Sequence, residues 1–243
     1  MKILALYDIH ANIDALDAVL ADPRAQRADV VVIGGDAVPG PFAQATLERL
    51  QALEVPVSWL RGNGEREVAE ALDGTAGDAD LAASTAQLTA TEIGSRCARS
   101  LGDLPLTLEL DSVLFCHASP RRDDEMLTRL SSSERWTEAL VGVTASLLVA
   151  GHTHQQDDRM IGATRFVNAG SVGLPYEGDD GGARWLWIED GVPELRKTAY
   201  GAAEAGARML AAGWPDERSV EGALIEPVAA SIVTRIFEDS VTA

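Results

Sequence analysis

Four histidines occur in this chain, and each stands at or just past the end of a segment that reads as a β-strand. Two aspartates and one asparagine occupy the same kind of position. Because ligands bind at the carboxyl ends of strands in open α/β sheets, we expect all of these side chains to share one rim. Imidazole, carboxylate and amide groups without thiolate suit Mn, Fe, Zn or Ni. The candidate ligands are Asp8, His10, Asp36, Asn63, His117, His152 and His154.

The spacing within two motifs strengthens this interpretation. Asp8 and His10 are separated by one residue, as are His152 and His154. In an extended segment this spacing places both side chains on one side, where they can reach the same ion. Seven ligands are too many for one tetrahedral ion and about right for two. Two-metal sites hold their ions about 3.5–4 Å apart and clamp the attacking and leaving oxygens of a phosphoryl transfer. The pattern therefore predicts dinuclear phosphoryl-transfer chemistry.

The elements that must position these residues can be read from hydrophobic periodicity. The first 60 residues alternate strand and helix, which is typical of a parallel α/β sheet. Residues 65–104 have helical periodicity with two glycine-containing breaks. They predict two helices, either a cap over the sheet edge or an ordinary helical connection. The early elements are strands at 2–7, 29–33 and 55–60 and helices at 12–20 and 42–53.

Strands return after residue 105, and the chain ends in a predicted helix at 221–238. Asp190-Gly191 is a hairpin turn signal between the last two strands. The later strands are predicted at 106–110, 112–116, 145–150, 164–168, 184–189 and 194–200.

Composition limits the partners. The 243 residues contain 20 Lys and Arg against 38 Asp and Glu, a formal net charge of −18. This charge argues against long nucleic acids and anionic membranes as partners, but a local cationic site can still hold a small anion. The apolar run at the N-terminus is too short for a signal peptide, and no stretch approaches the ~20 apolar residues of a spanning helix. Cys97 and Cys116 are expected to be buried free thiols, which favours the cytoplasm.

Taken in order, the motifs resemble those of the calcineurin-like metallophosphoesterases. That family shows Asp-x-His, Gly-Asp, Gly-Asn-His-Asp/Glu, a lone His and Gly-His-x-His. The segment 168–175 resembles the small bacterial, phosphodiesterase-like branch. The resemblance implies an α/β fold in which a four-layer α/β/β/α sandwich of two mixed sheets flanked by helices forms a single domain over residues 1–243. This chain has Asp8-Ile9-His10, Gly35-Asp36, Gly62-Asn63-Gly64-Glu65, His117 and Gly151-His152-Thr153-His154.

The resemblance also implies roles for these residues. Two divalent ions, with Mn favoured, would be held at the strand ends, and a hydroxide shared between them would attack phosphorus. Asp36 would bridge the ions, and Asn63 would also contact the substrate phosphate. The implied ligands are Asp8, His10 and His154 for the first ion and Asn63, His117 and His152 for the second.

One position departs from the family pattern. Gly64 stands where the family usually carries a histidine that protonates the leaving oxygen, and all four histidines of this chain are already assigned to metal. We therefore predict a preference for good leaving groups, with Glu65 as an alternative acid. A Gly64→His substitution should then raise hydrolysis of esters with poor leaving groups. Arg61 and Arg66 are candidate phosphate contacts, although arginines in loops are more often simply solvated.

The sequence thus predicts a phosphodiesterase that acts on a small phosphorylated or nucleotide substrate. Two alternatives remain open: a catalytically weak scaffold that uses the same fold to bind proteins, and a phosphomonoesterase or protein phosphatase. Oligomeric state and physiological substrate leave no readable trace.

Overall fold

The computed structural model describes residues 1–73 and 81–242. None of the helices in these ranges combines the length and the apolar character that crossing a membrane requires. The strands are β1 (Lys2–Leu6), β2 (Val30–Ile33), β3 (Val57–Trp59), β4 (Thr107–Leu110), β5 (Val113–Cys116), β6 (Leu147–Ala150), β7 (Asp157–Ile161), β8 (Thr164–Asn168), β9 (Ala183–Glu189) and β10 (Val192–Thr198). The α-helices are α1 (Ile13–Ala21), α2 (Ala43–Gln51), α3 (Asn63–Glu70), α4 (Leu81–Ile93), α5 (Ser95–Gly102), α6 (Ser133–Ala139), α7 (Ala202–Ala211), α8 (Glu217–Val220) and α9 (Ala230–Thr242).

The strands form two five-stranded sheets, and both sheets are mixed. The first has the order β10-β9-β1-β2-β3, in which β1, β2 and β3 run parallel, β9 pairs antiparallel with β1, and β10 pairs antiparallel with β9. The second has the order β4-β5-β6-β8-β7, with β5, β6 and β8 parallel. The parallel strands put their carboxyl ends at one edge of each sheet, which is where the candidate ligands follow.

Side-chain alternation along the strands explains the layers. In β1, Ile3 and Ala5 point into a core shared with β5, β6 and β8 of the other sheet, whereas Leu4 and Leu6 pack under α1. On the far side, Trp136 of α6 packs on the outer face of the second sheet. The two sheets therefore face each other with helices outside, which confirms the expected α/β fold. The assignment of residues 1–243 to one domain stays a prediction.

The helical region differs from the sequence prediction. Instead of two helices between 65 and 104, the structure has α3, a 3₁₀ turn at Ala71–Asp73, α4 and α5. Helix α3 begins at Asn63, inside the motif itself, and packs with α4 and α5 against α2 in a separate apolar cluster. Residues 74–80 of the predicted cap lie outside the described residues.

The predicted helix at 221–238 was wrong in its continuity. The chain instead forms α8, a π-helical turn at Glu221–Ile225 and, after a break, α9. Pro227 explains the break, because proline removes a backbone donor and pushes the preceding residue into an extended conformation. Glu226 has φ −127° and ψ 73°, which is outside the helical region.

Candidate metal centre

The candidate ligands lie on a shared rim beside the ends of parallel strands. One group consists of Asp8, His10 and His154, whose ligand atoms all lie within 4.8 Å of one another. The Nε2 atoms of His10 and His154 are 3.1 Å apart, and His154 Nε2 lies 3.4 Å from Asp8 Oδ1. This arrangement matches the first ligand set that the family resemblance implies.

A second group lies next to the first and shares one carboxylate with it. It consists of Asp8, Asp36 and His117, again within 4.8 Å. His117 Nε2 is 3.7 Å from Asp8 Oδ1 and 3.5 Å from Asp36 Oδ2, while Asp36 Oδ2 is 3.8 Å from His10 Nε2. Both aspartates, and not Asp36 alone, thus lie between the two groups. The ring of His152 lies beside this second group, and its centroid is 5.2 Å from that of the His117 ring.

The donor atoms at this centre fit divalent cations. Four of them are buried and have no hydrogen-bond partner among the described residues: Asp8 Oδ1, Asn63 Oδ1, His117 Nε2 and His152 Nε2. A buried polar atom without a partner costs about 1–3 kcal/mol, so several such donors in one place fit a site that binds a cation. The mixture of nitrogen and hard oxygen suits first-row divalent ions.

Hydrogen bonds on the outer side of the ligands orient them toward the centre. Nδ1 of His117 lies 2.9 Å from the carbonyl oxygen of Gly34, and Nδ1 of His154 lies 2.8 Å from that of Leu174. In the neutral imidazole, the tautomer whose Nδ1–H donates to the carbonyl leaves the Nε2 lone pair facing the centre, free to bind a metal ion. The amide of Asn63 is fixed similarly, because its Nδ2 donates to Glu67 Oε1 at 3.2 Å.

The backbone of the rim is unusual. Five candidate ligands adopt left-handed conformations, with φ between 46° and 68°, although none is glycine: Asp8, His10, Asp36, His152 and His154. Such conformations are sparsely populated for non-glycine residues and concentrate at functional sites. Backbone hydrogen bonds tie the loop after β1 to the loop after β2, from Asp8 N to Gly35 O at 3.1 Å and from His10 N to Asp36 O at 3.0 Å.

A buried aromatic ring fills the space between two ligand-bearing loops. Tyr7 is completely buried, and its hydroxyl donates to the carbonyl oxygen of Val149 at 3.2 Å. A Cβ atom on Gly34 would lie 2.1 Å from this ring, and one on Gly151 would lie 2.5 Å from it. Both glycines are therefore required by the Tyr7 ring.

Charges in the centre shift one another strongly. Burial alone would lower the pKa of His117, but the carboxylates of Asp36 and Asp8 raise it to about 10. Burial opposes ionisation of Asp36, yet the neighbouring histidines hold its pKa well below the usual range. Burial, followed by the charge of His117, lowers the pKa of His152 to about 4, so its imidazole is neutral near pH 7. Positive charge beside the two buried carboxylates therefore stabilises their ionised form.

Glu65 does not have the geometry of a proton donor. Its buried carboxylate accepts backbone N–H groups of Asp36 and Gly62 at 2.7 Å each, Ala37 at 2.9 Å and Val38 at 3.3 Å. Burial, with the charge of Asp36, raises its pKa to about 7. Because both oxygens already bind the Asp36 loop, the structure does not support the acid role predicted from the sequence. It indicates a positioning role.

Gly64 is tightly enclosed. Its N–H donates to Asp36 Oδ1 at 2.8 Å, and a Cβ there would lie 2.5 Å from Val38 O and 2.6 Å from Pro39 Cδ. A Gly64→His substitution would therefore push the Asp36 loop aside before the imidazole could act. The substitution suggested by the sequence is a poor test of leaving-group chemistry.

The two candidate arginines are engaged elsewhere. Arg61 Nε and Arg66 Nε lie 3.2 Å and 3.1 Å from Oδ2 of the buried Asp123. Neither arginine borders the cleft beside the centre. Phosphate contact by either arginine stays a prediction, and it would require the pairs with Asp123 to open.

A cleft of about 400 Å³ opens beside the centre, and several of its lining residues were not singled out from the sequence. Tyr176 stacks on His154 with 5.0 Å between ring centroids and an interplanar angle of 11°. Glu67 could have been found, because it lies four residues after Asn63 on one helix face. Trp214, Asp216 and Ser219 come from far along the chain and carry no local signal. The lining residues are His10, Asp36, Pro39, Asn63, Glu67, Leu81, Ala82, Thr85, His154, Leu174, Tyr176, Trp214, Asp216 and Ser219.

Comparisons with known proteins agree with this geometry. The model of the calcineurin-like phosphoesterase superfamily domain matches residues 1–191, and the chain belongs to that superfamily. The fold is similar to a crystal structure of a metallophosphoesterase from Sphaerobacter thermophilus, at 24% identity over 94% of this chain and 100% of that one, with a TM-score of 0.73. It is also similar to a hypothetical protein from Pyrococcus horikoshii OT3, at 18% identity over 92% and 97% of the two chains, with a TM-score of 0.75. The comparison with curated proteins gives no match.

Proposed function

We propose that this phosphoesterase-family protein is a dinuclear metal-dependent phosphodiesterase that acts on a small phosphorylated or nucleotide substrate. The observation that carries the proposal is the convergence of four unpartnered buried donor atoms beside two carboxylate-sharing ligand groups. The net charge of −18 supports a small substrate over a long nucleic acid. The unpaired thiols of Cys97 and Cys116 support a cytoplasmic setting.

The ligands divide naturally between two ions. Asp8 and Asp36 would be shared, with His10 and His154 on one side and Asn63, His117 and His152 on the other. When bound, divalent ions of this kind supply Lewis-acid stabilisation of the phosphoryl oxygens and lower the pKa of water so that it can attack. Among ions that accept these ligands, we favour Mn.

The residues of the chain supply orientation. The carbonyl groups of Gly34 and Leu174 hold His117 and His154 in one tautomer. Glu67 fixes the amide of Asn63 so that its Oδ1 stays directed at the centre. Glu65 accepts three backbone N–H groups of the Asp36 loop and a fourth from Gly62. Preorganised ligands of this kind need little rearrangement during the reaction.

The preference for esters with good leaving groups rests on proton supply. All four histidines lie in the centre, Gly64 offers no side chain, and the oxygens of Glu65 are already occupied. Departure of a poor leaving group needs a proton, so esters with stable leaving groups should react best. An ester with an aryl leaving group meets this requirement, whereas one with an alkyl leaving group does not.

The test is Mn-dependent hydrolysis of bis(p-nitrophenyl) phosphate, with p-nitrophenyl phosphate as the monoester comparison. Asp36→Asn should lower kcat/KM at least about a hundredfold, since losing about 3 kcal/mol of transition-state stabilisation has that effect. The matched control is Asp103→Asn, because Asp103 is exposed at the end of α5. Bound metal without turnover of any ester would favour the scaffold, and faster monoester turnover would favour a phosphomonoesterase.

A further inference from the structure

One side of the cleft is built by a part of the chain beyond the family match. Residues 202–225, called the cleft wall here, contribute Trp214, Asp216 and Ser219 to the lining, whereas the superfamily model ends at residue 191. Met209, Val220 and Leu224 are buried in an apolar cluster that also includes the buried Trp214. The cleft wall is therefore a packed part of the fold, and its lining residues have fixed positions relative to His154.

The side chains of Asp, Glu, Lys and Arg that line the cleft in the described residues are all acidic. Three carboxylates line it, those of Asp36, Glu67 and Asp216, and no Lys or Arg is among the lining residues in the described part of the chain. Asp36 belongs to the metal centre, so the other two carboxylates set the charge of the remaining cleft.

Of these two carboxylates, Asp216 is the less neutralised by neighbouring positive charge. It forms no ion pair with any residue in the described ranges, whereas Glu67 lies 3.8 Å from Arg66 Nη2. Its Oδ1 accepts the backbone N–H of Ser219 at 3.1 Å, which caps α8 and fixes the carboxylate at the cleft. Arg218 is exposed on α8 and does not line the cleft. An ionised carboxylate in a concave site attracts cations and repels further anions.

We propose that this cleft selects phosphodiesters whose second substituent carries a positive charge, such as an ammonium group, over neutral substituents and over those with additional phosphates. The inference rests on the proposed function, in which the metal centre takes the single negative charge of the diester. The ammonium group would lie toward Asp216, beside the aromatic side chains of Tyr176 and Trp214. Aromatic surfaces with a nearby carboxylate are a favourable environment for quaternary ammonium.

Two matched esters isolate the charge. p-Nitrophenyl phosphocholine and its carbon isostere, 3,3-dimethylbutyl p-nitrophenyl phosphate, share the leaving group and nearly the same shape. With Mn-loaded protein we expect kcat/KM for the choline ester to exceed that of the isostere by about fivefold, an advantage that falls as KCl is raised. Equal rates, or faster turnover of the isostere, would overturn the inference.

Variants assign the selectivity to one side chain. Asp216→Asn removes the charge but keeps a good helix-capping residue, so α8 should persist. The ratio of the two rate constants should then fall toward one. Glu217→Gln is the control, because it removes the same charge from the neighbouring residue, which is exposed and outside the lining. A ratio unchanged in Asp216→Asn, or reduced equally in Glu217→Gln, would contradict the role of Asp216.

Failure of the proposed function would look different. If neither ester nor bis(p-nitrophenyl) phosphate were hydrolysed, the phosphodiesterase proposal would fail on its own. Selectivity would then be read by calorimetry, with phosphocholine and 3,3-dimethylbutyl phosphate titrated into Mn-loaded protein. Tighter binding of phosphocholine, lost in Asp216→Asn, would support the inference, and equal affinities would refute it.

Discussion

The metal rim and the cleft wall are two sides of one site, but they are held in different ways. The rim, meaning the loops that carry the candidate ligands, is joined by main-chain hydrogen bonds and contains five left-handed non-glycine residues. The cleft wall packs through an apolar cluster in which its residues meet Leu174, Tyr176 and Tyr200 of the rest of the chain. It meets the domain through side chains, including an ion pair from Arg208 Nη1 to Asp14 Oδ1 at 2.6 Å.

This difference separates chemistry from selectivity. Strained backbone and occupied space leave the rim few ways to change without displacing a ligand. A wall attached through side-chain packing can vary while the main chain of the rim stays in place. The part that matches the superfamily contains the rim, and the cleft wall lies after it.

The largest effect is expected from Glu65→Gln. Each oxygen of the Glu65 carboxylate accepts two backbone N–H groups. In a glutamine, the NH₂ group would replace one of these oxygens, and its hydrogens would face two backbone N–H donors. Leaving buried donors unsatisfied should lower the free energy of unfolding by about 3 kcal/mol, and Mn affinity should fall about ten- to hundredfold. Urea unfolding and metal titration measure the two effects. Glu204→Gln is the control in the cleft wall, where the carboxylate is exposed, and a similar loss there would erase the distinction.

Two glycine substitutions, one in the rim and one in the cleft wall, should give the next largest difference in stability. In Gly151→Ala the new Cβ would lie 2.5 Å from both Tyr7 Cδ1 and Asp8 Oδ2, whereas in Gly222→Ala it would lie 3.3 Å from Val228 Cγ2. Overpacking of this kind costs about 1–3 kcal/mol, so Gly151→Ala should lower stability by about 2 kcal/mol and reduce turnover with it. Gly222→Ala should change stability by less than about 0.5 kcal/mol. Thermal unfolding compares them, and equal losses would show that the wall is packed as tightly as the rim.

The smallest effect should come from the contact between wall and domain. Arg208→Gln removes the exposed ion pair with Asp14, and such pairs contribute about 0–1 kcal/mol. We expect a change near 0.5 kcal/mol that shrinks in high salt. Chemical unfolding at low and high NaCl measures it. A loss above about 2 kcal/mol would mean that attachment of the wall depends on this ion pair more than on its apolar cluster.

Sequence reasoning located the candidate ligands because strands such as β2 and β6 are continuous apolar runs that end abruptly. The family resemblance and the mixed-sheet fold were confirmed, while the role of each site residue stays a prediction. Strand β7 was missed because it is a charged edge strand without a buried face. Helix α7 was missed because its buried positions are mostly small residues, which give a weak periodic signal.

The residues that line the cleft beside the metal rim could not be predicted in the same way. Tyr176 and Asp216 line one cleft only because the chain folds back after β10, and no local pattern encodes that approach. The engagement of Arg61 and Arg66 by Asp123 is likewise a tertiary event. Strand ends can be read from a sequence, whereas the partners of exposed polar side chains depend on the finished fold.

The ring of Tyr7 fills the space that side chains at positions 34 and 151 would otherwise occupy. Since side chains at 34 and 151 would both enter that volume, the three residues cannot vary independently. Among relatives, a small residue at the position of Tyr7 should be the precondition for any side chain at either glycine. Natural variation at these sites, distant in sequence, should therefore be correlated, and transplanting one ligand loop into another scaffold should succeed only when its neighbours at this junction travel with it.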